Sequence, residues 1–199
     1  MTTRTLIPLV ISAALLTATG LSHRVLAAET FKIDPAHAVA VFRAMHLGYA
    51  HVFGRFNDIS GEIELDRDNL TRSTVKVRIQ TASVDTNHLK RDDHLRSPDF
   101  FNAKEFPEMT FVSDKIVQTS DNTGTLHGHL TLLGITKRVT LDVTLNKIAP
   151  NPLPGYNNVL TAGLSGRTTI KRSNFGMNYA LQGIGDEIDI WLEFEAQKQ

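Results

Sequence analysis

Ile188-Asp189-Ile190-Trp191-Leu192-Glu193-Phe194 places an apolar residue at every second position, with Asp189 and Glu193 between them. Successive side chains of a strand point to opposite faces, so a period of two describes a strand with one buried face. Val75-Lys-Val77-Arg-Ile79 and Leu141-Asp-Val143-Thr-Leu145 repeat the pattern. Asp66-Arg-Asp-Asn69, Ser120-Asp-Asn-Thr-Gly124 and Pro150-Asn-Pro-Leu-Pro-Gly155 carry the residues that turns favour and separate such runs. Reading between the turns predicts eight strands, near 38–47, 51–66, 73–83, 109–117, 124–132, 138–148, 159–170 and 187–196. Short turns join most neighbours, so the sheet is expected to be antiparallel. Its apolar face can be hidden in a sandwich or in a closed barrel. The long second strand, with Gly54 and Gly61 where it can bend, favours the barrel.

One segment breaks the alternation. Asp85 or Thr86 can cap a short helix ending near Arg96, and Ser97-Pro98-Asp99 suits the start of a second turn. The result is a short helical insertion near 86–101. The chain opens with Arg4, an apolar run from Leu6 to Leu16 and the small-residue site Val25-Leu26-Ala27, which reads as a secretory signal over 1–27. The remaining 28–199 is expected to form one domain. Removing 1–27 takes away Arg4 and Arg24 and no acid, leaving 19 basic against 21 acidic residues. That balance makes no electrostatic case for nucleic acid. The absence of cysteine excludes thiol catalysis and thiolate metal sites.

Several spaced motifs carry a resemblance. Asp34-Pro-Ala-His37, Phe42, His46-Leu-Gly48 and Gly54-Arg-Phe56 open it. Arg91-Asp-Asp-His-Leu95, Ser97-Pro-Asp-Phe-Phe101 and Phe106-Pro107 continue it, followed by Thr110-Phe-Val-Ser113, Gly128-His-Leu-Thr131 with Gly134-Ile-Thr-Lys137, and Phe175-Gly-Met177 with Gly185-Asp-Glu-Ile188. From about Phe31 to Glu195 the chain resembles the YceI-like proteins. Ala38 and Ala50 depart from that pattern, standing where hydroxyl residues are common. The resemblance implies an all-β, eight-stranded antiparallel lipocalin-like barrel in the periplasm of a Gram-negative bacterium. It also implies a polyisoprenoid or quinone-type lipid held inside and no catalytic cofactor.

The physics of such a barrel permits a lipid. A strand of about 11 residues tilted by about 40° spans roughly 27 Å, close to the hydrocarbon thickness of a bilayer. Strand parity selects the lining: Ala40, Phe42 and Ala44; Val52 and Phe56; Val77 and Ile79; Leu130 and Leu132, with the Arg43 face outward. Phe100 and Phe101 can close one end. His46, Arg91 and His94 are the polar residues placed to meet a head group at the rim. The same apolar residues can equally fill a closed core, and His46, Asp92 and His94 keep an enzyme acting on a lipid head group in view. His127-x-His129 has chelating spacing but no obvious third ligand, so no metal is expected. Transient contact with a membrane or lipid donor is compatible with a carrier, as is a dimer.

Overall fold

The computed structural model describes residues 28–199, so the expected leader over 1–27 lies outside the described residues. The strands are β1 (Glu29–His46), β2 (Ala50–Phe56), β3 (Ile59–Leu65), β4 (Thr74–Gln80), β5 (Val84–Asp85), β6 (Glu108–Gln118), β7 (Thr123–Leu132), β8 (Ile135–Pro150), β9 (Leu160–Lys171) and β10 (Ile184–Lys198). Helix α1 (Leu89–Arg96) stands between β5 and β6. Around the sheet the order is β10-β9-β8-β7-β6-β4-β3-β1-β2-β5, and β10 returns to pair with β1. That last pairing closes the ring and excludes a sandwich.

Ten strands make eight wall positions. β3 pairs with Glu29–Lys32 of β1 and β2 with Ala40–His46, so β2 and β3 are two halves of one long strand. β5 is a two-residue edge on β2. The break in the long strand falls at Asn57–Asp58, where Ser83 Oγ accepts from both amides at 3.2 and 3.1 Å. Gly54 and Gly61 are not the hinge expected of them. They face the interior at close approaches: a Cβ on Gly54 would strike the Phe42 ring, and one on Gly61 the carbonyl of Lys76.

The first strand begins nine residues earlier than predicted, at Glu29 instead of residue 38. Asp34-Pro35-Ala36-His37 hid its start. Between the pairs Ile33–Ala196 and Ala38–Phe194, β1 advances five residues while β10 advances two. Pro35, which has no amide hydrogen for a ladder, sits in that bulge. Asp34 stabilises it locally, accepting from the Ala36 amide at 3.0 Å and pairing with His37 Nδ1 at 2.9 Å.

The insertion is one helix and a series of turns. Asp85 does not cap α1; it accepts from the Asn87 amide at 2.8 Å, and the His88 ring caps the helix by accepting from the Arg91 amide at 3.2 Å. Residues 97–101 form hydrogen-bonded turns without a second helix. On the outer wall Arg43 pairs with Asp189 at 2.8 Å and lies over Trp191.

Interior glycines give aromatic rings their room. A Cβ on Gly128 would come 2.5 Å from both the Phe111 ring and the Val112 carbonyl oxygen. Gly128→Ala is therefore expected to destabilise the barrel by about 1–3 kcal/mol. Gly163→Ala, whose Cβ would meet nothing nearer than Asn146 Cβ at 3.8 Å, should stay within about 0.5 kcal/mol of wild type. Urea midpoints of the two variants compare them directly.

Candidate functional site

The register stacks inward-facing side chains in rows. Ala44, Ile188 and Ile170 form one row, Phe42, Ile190 and Thr168 the next, and Ala40, Leu192 and Gly166 the third. β4, β6, β7 and β8 add Val77, Ile79, Met109, Phe111, Leu130, Leu132, Val139 and Leu141. These residues enclose a cavity of about 160 Å³. Its exposed wall is apolar throughout.

The end of this cavity is covered by Leu95 of α1, Phe100, Phe101, Met177 and Ile184. The cover is held by edge-to-face rings. Phe101 meets Phe56 at a centroid distance of 5.3 Å, and Phe100 meets His94 at 5.0 Å and Tyr179 at 5.3 Å. Such pairs add about 0.5–1.5 kcal/mol each beyond area burial. His94 Nε2 is fixed from the other side by Asp99 Oδ2 at 2.8 Å.

A second apolar cavity of about 80 Å³ occupies the opposite end, lined by residues including Leu65, Leu70, Val75, Ile116, Leu126, Val143, Leu145 and Leu164. The two share no lining residue. Between them the barrel narrows to a waist. Phe111 lies over Gly128 there and Leu192 over Gly166, and Leu126, Leu141 and Phe194 are buried around them. The bore is two chambers instead of the single long tunnel that barrel height alone predicts.

Eight of the nine residues chosen by strand parity line the larger chamber, Ala40, Phe42, Ala44, Phe56, Val77, Ile79, Leu130 and Leu132, together with the two expected to close one end, Phe100 and Phe101. Val52 is outside that lining, although it pairs with Ala44. The polar rim residues are placed differently from expectation. His46 is exposed at the end of β1, and Arg91 is spent on Thr86, donating to its Oγ1 at 2.7 Å and its carbonyl at 2.8 Å. Only His94 reaches the cover, through Phe100. Asp92 is buried, and its Oδ1 accepts from the amide and the hydroxyl of Thr86. His46, Asp92 and His94 therefore do not converge on one point. Among the described residues no group of three or more His, Asp or Glu could hold a metal ion. His127 meets Thr140, and His129 meets Asp114.

Sequence reading did not select Ile188, Ile190, Leu192, Ile170, Leu141, Met109 or Phe111 as lining, although the alternation of β10 and β8 marks the first three and Leu141. It also did not single out Arg172. This side chain is 2 % exposed and donates from Nε to Gly185 O at 3.0 Å, from Nη1 to Met177 O at 2.8 Å and from Nη2 to Ile184 O at 2.8 Å. Burial lowers the guanidinium pKa from its ordinary value, and the Asp186 charge opposes that effect. Three carbonyls thus take up a charge that burial alone would penalise. Arg172 ties the segment after β9 to the start of β10.

A model of the YceI-like domain matches residues 31–196. The chain belongs to the YceI-like family. A relative, the UPF0312 protein of Pseudomonas aeruginosa (strain LESB58), is 39% identical over 198 residues, 98% of each chain. BcnA of Burkholderia cenocepacia has a related barrel, with a TM-score of 0.73, 24% identity and coverage of 82% of this chain and 98% of its own. A polyisoprenoid binding domain from Saccharophagus degradans superposes with a TM-score of 0.62 at 13% identity, covering 86% and 99%. At these identities the two structures establish the fold alone.

Asp186 stabilises the region around Arg172 and gives it a pH dependence. Its carboxylate accepts from the Ser173 amide at 2.9 Å and the Ser173 hydroxyl at 2.8 Å, and the amide bond is the main cause of a pKa below the usual range. Such a group stabilises the fold above the unfolded-chain value of about 3.9, and the contribution is lost as pH falls through the folded value. Asp186→Asn is expected to lower the melting temperature at pH 7 and to flatten its decline between about pH 5 and pH 3. Thermal melts across that window, beside wild type, measure both effects.

Proposed function

We propose that this protein is a non-covalent periplasmic carrier of a long apolar lipid of the polyisoprenoid or quinone type. The observation that carries the reading is the larger chamber, a cavity of about 160 Å³ whose exposed wall is carbon. An apolar cavity of that volume lowers stability by about 4 kcal/mol relative to a filled one. About five methylenes at roughly 0.8 kcal/mol each recover the same amount. The two polar residues of the lining, Thr168 and Arg172, are engaged with backbone carbonyls, so selection acts on the hydrocarbon, and the head group stays at the end covered by Phe100 and Phe101. The polyisoprenoid binding domain of Saccharophagus degradans, which shares the fold, supports the class of ligand. The secretory pattern of residues 1–27 supports the compartment.

An apolar cavity of roughly 150 Å³ accommodates a guest the size of benzene. A longer chain requires the waist to open, with Phe111 turning aside to join the two chambers. Enclosure performs the task and no bond is made or broken.

Organic extraction of the purified protein followed by mass spectrometry is expected to release a long-chain lipid. Ala44→Phe, which fills the chamber from β1, should lower lipid per protein at least about tenfold while the fold persists by circular dichroism. Phe111→Ala should cost about 3–5 kcal/mol of stability and lengthen the chain retained. Native and delipidated preparations that release nothing and melt at the same temperature would overturn the reading.

A further inference from the structure

The end of the barrel covered by Phe100 and Phe101 also carries a set of exposed apolar side chains. Tyr49 is 89 % exposed and Leu47 57 %, and Ile135, Tyr179 and Leu181 are exposed beside them. They stand on or beside three turns: the β1–β2 turn over 47–49, the β7–β8 turn at 133–134, and the segment 176–183 that leads into β10. The turns adjoin. The Leu47 amide donates to Gly183 O at 2.6 Å, and a Cβ on Gly183 would lie 2.9 Å from Leu47 Cδ2. At the other end of the segment, a Cβ on Gly176 would lie 3.3 Å from Ile135 Cδ1. The result is one continuous arc along the edge of the cylinder.

No residue in 47–50, 130–136 or 176–185 is charged. Elsewhere at this end the insertion around α1 carries exposed Lys90, Asp93, Asp99, Lys104 and Glu105, so the uncharged surface is confined to the arc. Exposed turns are ordinarily polar, and an exposed apolar cluster marks a binding surface. The backbone gives a second, independent sign. Leu47 and Leu133 have φ of +51° and +52°, each followed by glycine at +73° and +71°. Turns of this shape favour Asn or Gly at the first position, and the left-handed region is strained for leucine. Leu47 keeps that strain while its side chain stays largely in water.

The geometry points to this arc as a bilayer-docking edge, through which the barrel enters the headgroup layer chamber-end first to take up or release its chain. The occupant is a membrane because the apolar groups are separate projecting tips, without charge, and a membrane interface accepts Leu and Tyr at such tips. The arc is also continuous with the chamber: Tyr179 packs on Phe100, and Ile184 lines the chamber immediately after Gly183. Docking of Tyr179 withdraws support from the ring that covers the cavity. The inference rests on the carrier reading, and its test separates the two.

Flotation of the purified full chain with phosphatidylcholine vesicles is the direct test. The wild type should float with the vesicles, and the Leu47→Asp/Tyr49→Asp/Leu181→Asp variant should lose at least about tenfold in partitioning. Leu153→Asp, at an exposed apolar position of the opposite end, should partition as wild type does. Leu47→Trp should be quenched by brominated acyl chains and Leu153→Trp should not, a readout that survives if the triple variant fails to fold. A wild type that does not float, equal quenching at the two positions, or an arc-dependent dimer in sedimentation without vesicle binding would overturn the docking edge. Lipid extracted from a preparation that ignores vesicles would overturn docking and leave the carrier standing. Vesicle binding by a chain that yields no lipid would uphold the edge and overturn the carrier.

Discussion

The antiparallel pairing of β1 with β10 is the constraint on which the rest of the structure depends. It joins the first strand of the barrel to the last, from Phe31–Lys198 to His46–Ile184, and so turns a sheet into an enclosure. It also fixes which face is inside. A slip of one residue would send Ala40, Phe42 and Ala44 to water and bring Arg43 inward, because side chains alternate along the strand. The bulge at Asp34–His37 absorbs the extra length of β1 without disturbing that parity above it. The Arg43–Asp189 pair lies across the same seam on the outer wall. At 37 % and 32 % side-chain exposure it counts for register more than for stability.

Inside the seam, the space is set by an exchange between glycines and rings. Gly54 and Gly128 remove side chains from the wall, and Phe42 and Phe111 lie over the places they leave. The exchange leaves the larger chamber on one side of Phe111 and a smaller one on the other. One aromatic ring can thus determine how much of the bore is continuous.

The two ends of the cylinder are built differently. One end is covered by α1, the turns that follow it and the segment 176–183, all packed through His94, Phe100 and Tyr179. Arg172 binds that segment to β10 through three carbonyls, so the cover is anchored from within. The same end projects Leu47, Tyr49 and Leu181. The far end has no such cover, and its chamber is half the size. A ring-held cover and an apolar edge thus stand at the same end as the larger chamber.

Local pattern by itself determined the strands, their antiparallel sense and part of the chamber lining. Alternation at Val75–Ile79, Leu141–Leu145 and Ile188–Phe194 needs only a solvent and a sheet to divide its residues into two faces. The turn residues between such runs set where the chain reverses. It could not show that β1 begins at Glu29, because Pro35 interrupts the period inside a bulge that only pairing with β10 holds together. Nor could it place Val52 outside the lining or commit Arg91 to Thr86, since parity describes a face and says nothing of how far along the barrel the chamber reaches. Closure, the waist at Phe111 and the apolar arc all join residues far apart in the chain. Their distances follow from the register of the closed ring, and only the tertiary structure decided that register.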